Sequence, residues 1–189
     1  MRYGVIFSTL VAVTTANAQT PGAPARLTGL KAEAVAAVDD MQKLTQEIVD
    51  SQFSFSELGF QELETQRYLT ALLRRNGFEV QTGVSGMPSS WWATWGSGEP
   101  VIALGSDIDG LPKASQMPGV AYREPMVEDG PGHGEGHNSG QAVNIVAALA
   151  VKRIMQRERM PGTLVLWPGV AEELLSGKAW FVRDGRFED

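Results

Sequence analysis

Short β-rich apolar runs alternate with stretches of helical period along this chain, and that alternation limits the fold more than any other feature. Residues 78–80, 91–95, 101–104 and 163–167 read as strands, the last of them buried. Leu30, Ala34, Val38, Met41, Leu44 and Ile48 recur at three- and four-residue steps, as one buried helix face from Leu27 onward requires. A second helix is expected over residues 62–76, with Tyr68, Leu69, Leu72 and Leu73 inward and Gly77 as a left-handed cap. A third, largely apolar helix is expected over 139–157, capped by Asn138 or Ser139, and a last one over 177–183. Residues 113–137 read as a Gly- and Pro-rich loop, and Pro168 is expected to break the strand before it. Helices interleaved with buried strands predict an α/β layered fold.

In such folds ligands bind outside the carboxyl ends of the strands. Three polar clusters fall there: Asp107 and Asp109 after one strand, His133-Gly134-Glu135-Gly136-His137 before a helix, and Glu172-Glu173 after another strand. The chain has only two histidines, and both lie in that five-residue segment. Imidazole and carboxylate together suit a zinc-like divalent ion, and the intervening glycines let the backbone turn tightly enough to aim several donors at one point. Neighbouring carboxylates at a strand end point in different directions, so Glu172 and Glu173 divide into a metal ligand and a general base. Asp107 and Asp109, two apart, share a face in extended geometry. Either could ligate metal, brace a ligating histidine, or simply form an Asx-turn into Gly110. Trp91, Trp92 and Trp95 read as strand packing before they read as a binding wall.

Composition narrows the chemistry. The chain of 189 residues is 43% hydrophobic and 20% charged, as a core-forming globular protein is. Its net charge is −6 and no cationic stripe exists, which removes support for nucleic-acid binding. Cysteine is absent, so any metal must be held by His, Asp and Glu. Arg2, a short apolar stretch from Gly4 to Val13 and Ala16-Asn17-Ala18 form the pattern of a signal peptide over residues 1–18. The apolar stretch is too short to span a bilayer, so a periplasmic or secreted protein is expected, with no membrane association once the peptide is cleaved. Residues 19–27 read as a flexible lead-in to a domain over 28–189.

The order of motifs resembles a known family. Ser56-Glu57-Leu58-Gly59-Phe60-Gln61-Glu62 with Thr65, then Asp107-Ile108-Asp109-Gly110-Leu111-Pro112, then Pro131 to Asn138, then Ala171-Glu172-Glu173 is similar to the co-catalytic zinc metallopeptidases and amidohydrolases of the carboxypeptidase G and aminoacylase type. Within that family Gly177-Lys178 and Val182-Arg183-Asp184-Gly185 look most like the aminobenzoyl-glutamate utilization branch. The resemblance implies a three-layer α/β/α zinc-exopeptidase-like fold and a dinuclear zinc or manganese site. It implies hydrolysis of an amide bond in N-acyl or aminobenzoyl amino acids. A dipeptidase or carboxypeptidase of the same family, or a non-catalytic metal-binding product, are the alternatives.

By the resemblance Glu172 is the general base, Glu135, His137 and Glu173 are metal ligands, and Asp109 orients the cluster from behind. His133 shapes the loop. Two positions depart from the family: relatives in this branch carry Cys in place of Glu135, and elsewhere a metal-binding His stands in place of Asp107. Family members also continue through a dimerisation domain and a C-terminal catalytic segment, and form homodimers. A chain that stops at Asp189 is therefore expected to be truncated, to bind metal weakly and to turn over nothing measurable.

Overall fold

The computed structural model describes residues 22–188; the signal-peptide pattern and residues 19–21 lie outside them. Five helices and four strands follow one another as α1 (Ala23–Asp39), α2 (Gln42–Phe55), α3 (Leu63–Arg75), β1 (Glu79–Thr82), β2 (Trp91–Ser97), β3 (Val101–Asp107), α4 (His137–Glu158), β4 (Gly162–Gly169) and α5 (Gly177–Arg183). The expected α/β arrangement is present. The strands form one sheet in the order β1-β2-β4-β3, antiparallel at both β1–β2 and β2–β4 and parallel at β3–β4. Because β3 and β4 are parallel, α4 serves as their crossover.

Period-two alternation sorts the strand residues onto two faces. Trp91, Ala93, Leu164 and Leu166 are buried on one face and share a core with Leu69, Leu73, Ile145 and Ala148. Trp92 and Trp167 belong to the other face, where they meet Phe181 of α5 and Phe187. Trp167 lies so close over Gly105 that a Cβ there would stand 2.1 Å from its ring. Among the described residues the third layer consists of α5 and the segment after it. The outer face of β3 accordingly stays open, with Val101 exposed.

Several sequence expectations needed adjustment. The helical face from Leu27 is split in two at Asp40-Met41, at the second of two consecutive aspartates, which are poor helix formers. Helix α1 starts at Ala23, inside the stretch read as a flexible lead-in, with Pro in its first turn. Pro168 does not end its strand, since β4 runs on to Gly169 with Pro168 opposite Ser106. Helix α3 is capped from a distance: both Glu57 oxygens accept hydrogen bonds, from the Glu64 and Thr65 amides at 2.8 Å. No helix among the described residues is long and apolar enough to cross a membrane.

Candidate metal centre

All three polar clusters lie at one end of the sheet, where β3 and β4 terminate and α4 begins. The Gln141 side chain ties these elements together there, donating to the Ser106 and Trp167 carbonyls at 2.8 and 3.0 Å.

His137 is the first residue of α4, and the cap is Gly136, not Asn138 or Ser139. The chain enters the helix at a Gly136 φ of 112°, a conformation that a side chain would strain. The imidazole is only 11% exposed. Its Nδ1 lies 3.0 Å from the Asp109 carbonyl oxygen, which can only accept, so Nδ1 carries the proton and Nε2 keeps its lone pair. Nε2 faces Glu135 Oε2 at 3.4 Å and Glu172 Oε2 at 3.9 Å. Nδ1 also lies 3.4 Å from Asp109 Oδ1 and 3.9 Å from Glu173 Oε1, so carboxylates surround the ring on both sides, and the carbonyl on Nδ1 orients it as the outer partners of metal-binding histidines do.

Asp109 is buried and joins the two halves of the cluster. One of its oxygens accepts from the Glu173 amide at 3.0 Å, while its backbone carbonyl holds His137. Behind it lies Glu62, fully buried, accepting from the Ala171 amide at 2.8 Å and from the Ser89 hydroxyl at 2.5 Å. Burial pushes the Glu62 carboxyl above its ordinary range, against the opposing effect of those bonds. Ala171 itself sits at a φ of 52°, and the tight turn Glu172–Leu174 follows it. Glu62 thus fastens the strained peptide from which both glutamates project.

Among the described residues, Glu135, His137, Glu172 and Glu173 each offer a ligand atom, and these atoms all lie within 4.8 Å of one another. Burial holds Glu173 above the usual carboxylate range, with the Glu135 and Asp109 charges adding to it and His137 opposing it. Carboxylates gathered so closely fit a cation at their centre, and one imidazole with several carboxylates is a donor set that zinc or manganese accepts. His133 is not in the group. Its Nε2 donates to the Gln52 carbonyl of α2 at 3.1 Å, and burial lowers its pKa. Asp107 is also outside it, paired with Lys178 at 2.9 Å. The sequence assigns Glu62 and Lys178 no separate role: Glu62 figures as a helix start and the end of one family-like motif, and Lys178 as part of another.

No family model matches the chain. It is 35% identical over 150 residues to one subunit of the p-aminobenzoyl-glutamate hydrolase of Escherichia coli (strain K12), covering 79% of this chain and 31% of that protein. It is 30% identical over 139 residues to hippurate hydrolase of Campylobacter jejuni, covering 70% and 33% respectively. The chain therefore spans about a third of the length of the curated relatives it matches. Among solved structures, a putative aminohydrolase from methicillin resistant Staphylococcus aureus superposes with a TM-score of 0.66 at 24% identity, over 81% of this chain and 38% of that one. A dinuclear metal binding peptidase of the M20 family from Bacillus subtilis superposes with a TM-score of 0.55 at 22% identity, over 76% and 40%. By sequence the chain is thus similar to about a third of each of two amide hydrolases, and its fold is that of the aminohydrolase and metal-binding peptidase structures it superposes on.

Proposed function

We propose that the protein is a metal-dependent amidohydrolase acting on N-acyl or aminobenzoyl amino acids, with zinc or manganese at this centre. The observation that carries the reading is the convergence of Glu135, His137, Glu172 and Glu173 on one point, with His137 Nε2 kept free by the Asp109 carbonyl. Glu135, His137 and Glu173 would hold the metal, and a dinuclear centre would draw further ligands from outside this group. A bound divalent cation supplies Lewis acidity that polarises an amide carbonyl and makes water acidic near neutral pH. Glu172 is the general base. Its Oε2 faces the cluster, where it can take a proton from the attacking water and pass it to the leaving nitrogen. Asp109 fixes the tautomer of His137 and the position of the Glu173 backbone together. The substrate class rests on the names of the two curated relatives, and export to the periplasm or beyond rests on the pattern over residues 1–18.

The test is release of p-aminobenzoate from p-aminobenzoyl-glutamate, and of glycine from hippurate, by the full-length gene product with zinc or manganese. Glu172→Gln should abolish turnover while metal content stays at the wild-type level. Unchanged turnover in that variant removes the base from Glu172. Turnover that survives complete metal removal ends the metal-dependent reading.

A further inference from the structure

Glu172 is close enough to the other three side chains to serve as a ligand itself, yet a carboxylate bound to the metal could not act as the base. The surroundings of its two oxygens differ. Oε2 lies 3.9 Å from His137 Nε2, whereas Oε1 lies 3.9 Å from Lys178 Nζ. The Lys178 ammonium is seated on Asp107, 2.9 Å from one oxygen and 3.0 Å from the other. It has three donors, and one of them is given to Asp107 Oδ2.

That seat depends on two glycines. A Cβ on Gly169 would lie 1.7 Å from Asp107 Oδ1, so the Asp107 carboxylate occupies the space a side chain would fill. A Cβ on Gly177 would lie 1.7 Å from the Val170 carbonyl oxygen, so α5 can begin tight against the end of β4. This close start brings the next residue, Lys178, over Asp107.

We propose that Lys178, anchored by Asp107, is a positioning residue that keeps Glu172 off the metal. The inference rests on the metal-centre reading above. A carboxylate beside a dication is attracted toward it, and here the Lys178 ammonium competes for the same carboxylate. The position that Glu172 would otherwise fill stays open for water or substrate, as a catalytic centre needs. The pairing also gives Asp107 a role that involves no ligation.

Cobalt titrations of the 189-residue chain, read by visible absorption, test this. Cobalt(II) reports both affinity and coordination. Lys178→Met should bind cobalt about tenfold more tightly, in the range of effects expected around a metal site, with a spectrum altered by the added carboxylate. Lys178→Arg should stay at the wild-type value. Glu172→Gln alone should change affinity little, and Glu172→Gln combined with Lys178→Met should lose the gain. Lys178→Gln carries the same expectation should the Met variant not fold. A gain that persists in the double variant means that Lys178 acts only as a nearby positive charge, and the proposal fails. Equal affinity and spectrum for Lys178→Met and wild type also overturn it. If wild type binds no cobalt, the metal reading falls and the inference falls with it. If wild type binds and His137→Ala does not, the reading stands and Lys178 is judged by its own variants.

Discussion

Removing the carboxylate of Glu62 should damage both the fold and the metal centre, although Glu62 is not one of the clustered ligands. The side chain is fully buried and accepts two hydrogen bonds, from the Ala171 amide and the Ser89 hydroxyl. Hydrogen bonds to a charged group contribute roughly 1.5–3 kcal/mol each, and a buried donor left without a partner costs a further ~1–3 kcal/mol. Relief of the desolvation that raises the Glu62 pKa offsets part of this. The net expectation for Glu62→Ala is a loss of about 3 kcal/mol. With a urea dependence of ~2 kcal/mol per molar, the midpoint should fall by about 1.5 M.

Glu62→Gln separates hydrogen bonding from charge, because the amide oxygen still accepts from Ala171 and the amide nitrogen can donate to Ser89. It should lie within about 1 kcal/mol of wild type at acidic pH. The raised pKa fixes the sign of the pH dependence. The folded state holds its proton more tightly than the unfolded state, whose carboxyl titrates near 4.5. Stability contributed by this group is complete below that value and is lost as pH rises through the higher folded value. Glu62→Gln has no such loss, so its stability relative to wild type should improve as pH rises above about 4.5 and then level off. Urea unfolding followed by circular dichroism at several pH values measures both effects. A Glu62→Ala midpoint within 0.3 M of wild type (about 0.6 kcal/mol) would refute the hydrogen-bond argument. A Glu62→Gln variant with the same pH profile as wild type would refute the burial argument.

Two further substitutions probe how the sheet and its helices are fixed. Glu57→Ala removes the remote cap of α3 and should cost about 1 kcal/mol in urea unfolding, with no change in cobalt affinity. Gly105→Ala places a methyl group 2.1 Å from the Trp167 ring; overpacking of this kind costs about 1–3 kcal/mol and should shift the tryptophan emission as the ring is displaced.

Much of the architecture was legible because it follows from periodicity. The apolar spacing of Leu69, Leu72 and Leu73 and the run 163–167 place α3 and β4 to within a few residues. The break at Asp40-Met41 was obscured because the apolar face continues in register across it. Pro168 misled for a related reason: one missing amide can be accommodated at the end of a strand, and β4 extends one residue past it. At the centre, histidine scarcity and strand-end position pointed to the segment 133–137 and to Glu172-Glu173, the family resemblance narrowed the segment to Glu135 and His137, and the fold brings these four residues together. What the sequence hides is contact between distant segments. Glu62 meets Ala171 across 109 positions, and Lys178 meets Asp107 across 71, with no local pattern to announce either.

The central claim is that these four side chains form a divalent-metal centre, and calorimetric titration with zinc and manganese tests it most directly. Wild type should bind at least one of these ions with saturable heat. His137→Ala should abolish the signal, Glu173→Gln should weaken binding at least tenfold, and His133→Ala should leave a binding heat, since His133 turns toward α2. Wild-type protein that takes up neither ion, or His137→Ala that binds as wild type does, would contradict the account.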